Sequence, residues 1–178
     1  MRGLAAFLVA AAVASPVAWA QAPAAGTETR VAVEVFSVGL GPDDGLLFAR
    51  REGDLRDGAN PDGRARALST GDVALIHSTS WRWEPDGRIV LTYLAWAKEG
   101  TLGAGTRKLP ALTPPASPDP LHPRPVEIAE VDPLAHGLRH LTFLLHTSRD
   151  GAVAAALGPR GVAALSRIEA DVAGELPR

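Results

Sequence analysis

The segment Val73–Trp83, followed by Pro85-Asp86-Gly87-Arg88 and by residues 88–97, constrains this chain more than any other part of it. Proline presets φ at the first turn position, Asp suits the second, and Gly supplies the left-handed conformation that closes a type I turn with a bulge. The flanking segments alternate apolar and polar residues, so they are predicted to fold back on each other as an antiparallel hairpin. With Gly87 as the bulge, Glu84 faces Arg88, and Trp83, Trp81, Thr79 and His77 stand opposite Ile89, Leu91, Tyr93 and Ala95. That face, completed by Leu75, is the expected core face. The reverse face pairs Arg82 with Val90, Ser80 with Thr92, Ser78 with Leu94 and Ile76 with Trp96, a mixed and partly wet surface.

Upstream, residues 29–40 alternate as a strand with Val31, Val33 and Val35 on one side and Glu34 on the other. A Gly41-to-Gly45 turn leads into a second short strand at 46–51. Residues 52–60 have no period and read as a loop. It ends in Pro61-Asp62-Gly63-Arg64, the same chemistry as the later turn, so a second hairpin is expected there.

Downstream, residues 98–125 hold seven of the 15 prolines, which predicts an extended Pro-rich connector, and residues 126–130 are expected to form a last edge strand. Asp132 is placed as the cap of a helix with Pro133 at its first position and Leu134, Leu138, Leu141 and Leu145 on one stripe. Asp150 caps a shorter helix that stops at Gly158, and Pro159 opens another with Val162, Leu165, Ile168 and Val172 buried. Strands first and helices last predict an α+β fold: an antiparallel β-meander sheet with C-terminal helices packed on one face, as a single domain over 29–178.

The first 20 residues have a separate explanation. Met1-Arg2-Gly3 is a short positive start, residues 4–13 are an apolar run, and Ala18-Trp19-Ala20 is a small-x-small end. These are the three regions of a secretory signal peptide, expected over 1–20 with a flexible leader at 21–28, so the protein is expected to be exported, to the periplasm or beyond. The apolar run is too short to span a membrane. Removing Arg2 with the signal peptide leaves 17 basic against 20 acidic side chains, and no basic excess remains to bind nucleic acid. The chain has no cysteine, which excludes disulfides, thiolate metal centres and thiol nucleophiles.

Candidate chemistry centres on histidine. His136 and His140 are spaced i, i+4, the spacing a first pair of metal ligands takes. The Glu of H-E-x-x-H is missing, Gly137 and Leu138 occupy the intervening positions, and His146 points elsewhere, so a third ligand would have to come from His77 or His122. The pair reads as a helix face. His77-Ser78-Thr79-Ser80 has hydrolase vocabulary, but neighbouring strand residues face opposite ways, so His77 cannot serve Ser78 or Ser80 as a base. The catalytic arrangement left is His77, Tyr93 and His140 meeting in the helix–sheet seam as acid/base groups. Ser78, Ser80, Arg82, Trp96 and Arg139 are the candidate binding residues around it. Gly137 in mid-helix costs about 1 kcal/mol relative to Ala, which implies close helix–sheet contact or near approach of a ligand. Asp54, Asp57, Asn60 and Asp62 lack the alternation of a calcium loop, Gly103-x-Gly105 precedes no helix, and no cofactor is expected.

The order His77-Ser78-Thr79-Ser80-Trp81-Arg82, Leu91-Thr92-Tyr93-Leu94 and His136-Gly137-Leu138-Arg139-His140-Leu141 resembles that of a set of uncharacterised bacterial proteins, over residues 73–157. The resemblance implies no activity and no functional residues. Two functions stay open: a non-catalytic exported module binding a small molecule or an envelope protein, and a small hydrolase-like enzyme using His77, Tyr93 and His140, with or without a metal.

Overall fold

The computed structural model describes residues 29–112 and 128–170. Their elements are β1 (Val31–Leu40), β2 (Leu46–Asp54), α1 (Pro61–Leu68), β3 (Val73–Trp83), β4 (Ile89–Ala97), β5 (Arg107–Lys108), α2 (Asp132–Thr147) and α3 (Ala152–Leu165). The fold is α+β, with one five-stranded sheet in the order β3-β4-β1-β2-β5. The expected signal peptide and leader, residues 113–125 of the connector, and Val172 lie outside the described residues. No helix among the described residues is long and apolar enough to cross a membrane.

The sheet is mixed, not an antiparallel meander: β1 pairs antiparallel with β2 and parallel with β4, from Val31 opposite Ile89 to Val38 opposite Trp96. The cause is local to residues 60–68. Asn60 accepts a hydrogen bond from the Asp62 N–H through its side-chain oxygen at 2.9 Å, Pro61 supplies the first helical φ, and the expected second hairpin turn becomes the start of α1. The Ser69 hydroxyl donates to the Ala65 carbonyl at 2.8 Å, and the Thr70 N–H donates to Ser37 Oγ at 2.9 Å, tying the helix end to β1. α1 thus carries the chain across one face of the sheet and returns it beyond β1, which makes β4 parallel to β1.

Helices therefore cover both faces. Even-numbered β1 residues Phe36 and Val38 pack with Phe48, Leu94 and Trp96 against the leucine stripes of α2 and α3. Odd-numbered Val33 and Val35 pack with Tyr93, Ala95 and α1's Ala65. Each fully buried Leu, Val or Phe contributes about 1.5–3 kcal/mol, so the α2/α3 face is the main store of stability.

The hairpin keeps its expected register only as far as Ser80 opposite Thr92. Thr79 is then an extra residue, a bulge, and Ser78 pairs with Tyr93, His77 with Leu94, Ile76 with Ala95 and Leu75 with Trp96. An odd residue flips every side chain beyond it to the other face. The expected core face does not survive this. Trp81 and Trp83 are 62% and 41% exposed, because α1 is too short to reach them, whereas Trp96 is buried under α3.

Smaller differences have local causes. β2 runs on to Asp54, shortening the expected loop, and the short β5 lies within the expected connector. Ile128 and Ala129 form no strand, and Glu130 begins the turn into α2. Asp132 is the first residue of α2, and its carboxylate accepts from the Ala129 N–H at 2.7 Å. Gly151, not Asp150, occupies the cap position of α3, while the Asp150 side chain accepts from the Ala152 N–H. Gly158 (φ 69°, ψ 169°) breaks the helical path before Pro159, where two helices were expected.

Candidate functional site

Four adjacent strands place Glu34, Thr92, Arg82 and Arg50 on one face of the sheet, past the end of the apolar core. Glu34 lies between Thr92 of β4 and Glu52 of β2 in the pairing, and Arg82 and Arg50 flank it from β3 and β2. The Glu34 side chain is 1% exposed. A carboxylate that far from water needs its charge matched and its lone pairs filled. Arg50 Nε donates to Oε1 at 2.6 Å, Arg82 Nη1 to Oε2 at 2.7 Å, and Arg82 Nη2 to Oε1 at 3.4 Å. Thr92 Oγ1 donates to Oε2 at 3.1 Å. These four contacts use the acceptor capacity of the carboxylate, so Glu34 is an anchor and has no lone pair left for general-base work.

The network continues outward. Arg82 Nε donates to Glu84 at 2.7 Å, Arg50 Nη2 donates to Glu52 at 3.0 Å, and Arg88 also pairs with Glu52. Burial works against the Arg82 charge, and the Glu34 and Glu84 carboxylates more than offset it, holding its guanidinium above the usual arginine range. Above this floor is a cleft of about 410 Å³, walled by Trp83, Glu84, Ile128, Glu130 and Pro133. Glu130 is held by Arg107 through Nη2 at 2.6 Å. Arg50 Nη1 and the second oxygen of Glu84 make none of these bonds.

A second polar contact lies in the helix–sheet seam. His77 of β3 and His140 of α2 bring their Nε2 atoms within 3.0 Å. Their ring centroids are 5.1 Å apart, farther than the nitrogens by 2.1 Å, so the rings meet tip to tip rather than face to face. Burial pushes both imidazoles below the ordinary histidine value, and His77 and His136 repel a charge on His140 further. The Thr79 bulge creates this contact by turning His77 toward α2.

The same bulge separates the third expected partner. Tyr93 lies on the α1 face and donates its hydroxyl to Asp62 at 2.8 Å. Burial and the Asp62 carboxylate push its phenol up to about 12. Ser78 is on Tyr93's side of the sheet. Ser80 is half-buried opposite Thr92, and only Arg82 of the expected binding residues lines the cleft. Trp96 is packed in the core, and Arg139 lies 3.6 Å from Glu169. No group of three or more His, Asp or Glu among the described residues is placed to hold a metal ion, and the Nε2 of His140 is engaged by His77.

Glu34 and Arg50 were not among the residues expected to form a site. A signal for Glu34 does exist in the sequence: a lone carboxylate in a ten-residue strand whose other residues, apart from Ser37, are apolar or glycine is costly unless cations meet it. Gly137 has the structural explanation. A Cβ there would lie 3.3 Å from both Leu94 Cδ1 and Thr79 Cγ2, so the glycine lets α2 approach the sheet at the bulge.

No protein-family model matches the chain, and no curated protein matches it. Among solved structures it is similar to a MutT/nudix family protein from Enterococcus faecalis, at 14% identity and a TM-score of 0.35. The match covers 46% of this chain and 42% of that one, less than half of either, and it is too slight to bear on fold or function.

Proposed function

We propose that the protein is an exported, non-catalytic binding module that holds a small, neutral, hydroxyl-bearing molecule in the cleft above Glu34. One observation carries the reading: the cleft's ionic floor is already neutralised within itself, while Arg50 and Glu84, which line it, each keep a polar atom that the network's bonds do not use. A hydroxyl pair can accept from the first and donate to the second without bringing a charge of its own. Ile128 and Pro133 supply apolar surface for the ligand's carbon skeleton. Export is supported by the three-part leader in residues 1–20.

The hydrolase-like alternative has the His77–His140 contact in its favour. It needs Tyr93 in the same cleft, and Tyr93 is engaged by Asp62 on the opposite face.

Saturation-transfer NMR with glucose, maltose and N-acetylglucosamine, and with glucuronate and glucosamine as charged counterparts, tests the binding reading. Transfer to at least one neutral sugar is expected, reduced by Ala129→Trp, which fills the cleft. Preference for a charged sugar, or signals unchanged by Ala129→Trp, would count against it. Absence of any transfer would end it.

A further inference from the structure

We propose that the His77–His140 contact is an acid-labile latch between β3 and α2, one that tolerates the two protons of neutral imidazoles and rejects additional ones. The proton count follows from the geometry. The two Nε2 atoms point at each other 3.0 Å apart, so only one hydrogen fits between them. The Nδ1 of His140 is buried and has no hydrogen-bond partner among the described residues. A buried lone pair left empty costs less than a buried N–H left without an acceptor.

The neutral pair is thereby assigned one arrangement. His140 carries its hydrogen on Nε2 and donates it to His77 Nε2, and His77 carries its own hydrogen on Nδ1. A third proton has to place a hydrogen on His140 Nδ1, whichever ring is formally charged. A fourth sets two N–H groups head to head and breaks the contact.

Among the described residues no carboxylate acts on His140 to relieve this. The charges that act on His140 are His77 across the seam and His136 one turn earlier on α2, both of which oppose protonation. Arg139, next to His140 on α2, lies 3.6 Å from Glu169. The facing residue of β4 is Leu94, and Phe143 stands 6.2 Å from the His140 ring on α2 itself. Both imidazoles bind protons more weakly in the folded chain than in the unfolded one. Their contribution to stability is therefore complete above the ordinary histidine value of 6.5 and is lost as pH falls through the lower folded values. The inference stands whether or not the cleft binds a sugar.

The test uses the full chain with ¹⁵N-labelled histidine. At pH 7.5 two-bond correlation spectra should show His140 as the Nε2–H tautomer and His77 as the Nδ1–H tautomer. Between pH 7.5 and 5, protection of the α2 amides against hydrogen exchange should fall about tenfold for each unit by which the folded pair's proton affinity is lowered, ahead of the amides of β1. In His77→Phe/His140→Phe the α2 amides should lose this pH dependence. An Nδ1–H tautomer at His140, or ordinary titration of both rings, would overturn the latch, and so would equal loss of protection in β1 and α2. The tautomer measurement needs no variant, so it decides the matter even if the double variant fails to fold.

Discussion

The two faces of the sheet are covered in opposite ways. On one, α2 and α3 pack with the sheet into a core of two phenylalanines, Trp96 and six leucines, and the Glu34 network and the histidine pair lie on the same face. On the other, eight-residue α1 covers Val33, Val35, Tyr93 and Ala95 with only Ala65 and the partly buried Leu68, and it leaves Trp81 in solvent. The difference teaches that burial, not residue type, sets where this chain can keep charge. The heavily covered face carries the ions, because only there are partners fixed closely enough to offset desolvation.

The largest expected effect tests that claim directly. Glu34→Gln removes the charge that Arg50 and Arg82 share and leaves two guanidiniums facing a neutral amide, which should cost about 3–5 kcal/mol in urea unfolding. Replacing the set together, as Glu34→Leu/Arg50→Leu/Arg82→Met, should recover most of that loss, since a buried ion pair is commonly no more stable than an apolar one of similar volume. A cost below about 1 kcal/mol for Glu34→Gln would mean that the network is solvated in solution and the contrast between the faces is false.

A smaller effect tests the packing of the same face. A Cβ on Gly161 would lie 2.8 Å from Trp96 Cζ2, inside contact distance of a ring that is 2% exposed. An indole cannot move aside as a flexible side-chain end can. Gly161→Ala should therefore lose about 1–3 kcal/mol from overpacking, even though alanine favours the helix.

How far the sequence could be read follows the same division. The β3–β4 hairpin, the stripe of α2 and the break at Gly158 were legible because each rests on local chemistry: a turn, a period, a positive φ. The parallel pairing of β1 with β4 was not. Pro-Asp-Gly-Arg is compatible with a hairpin turn at 85–88 and with a helix start at 61–64, and what separates the two is the Asn60 cap. The Thr79 bulge was equally hidden, because alternation continues through it unbroken, and one unseen residue moved His77 away from Tyr93 and into contact with His140. Of the site, Arg82 could be named in advance. Glu34 and Arg50 come together only through strand order, which is a property of the whole chain.

On the thinly covered face, Tyr93→Phe should cost about 1 kcal/mol, the usual net worth of one hydrogen bond, here the one to Asp62. It should also remove an alkaline signature. The folded phenol is pushed up to about 12 from an ordinary 10.0, so the folded chain holds a proton that the unfolded chain releases. Wild-type stability is then whole below pH 10 and falls as pH rises toward 12. The Phe variant should lack that part of the decline in chemical denaturation measured across the interval.

The smallest expected effect lies at the end of the same face. Trp81 stands opposite Leu91 on β3, an edge strand, and is 62% exposed. Threonine suits a solvent-facing strand position as well as tryptophan does, so Trp81→Thr should change unfolding free energy by no more than about 0.5 kcal/mol. Trp96→Ala, two faces of one hairpin away, should lose about 3–5 kcal/mol. The pair isolates burial as the variable, since both are tryptophans on strands β3 and β4 of the same hairpin. Similar costs for the two would show that something covers Trp81 in solution, and the thin face would then need a cover that α1 does not supply. Unequal costs in the expected order would fix the contrast as a property of this chain alone, with its stability held by the α2/α3 face.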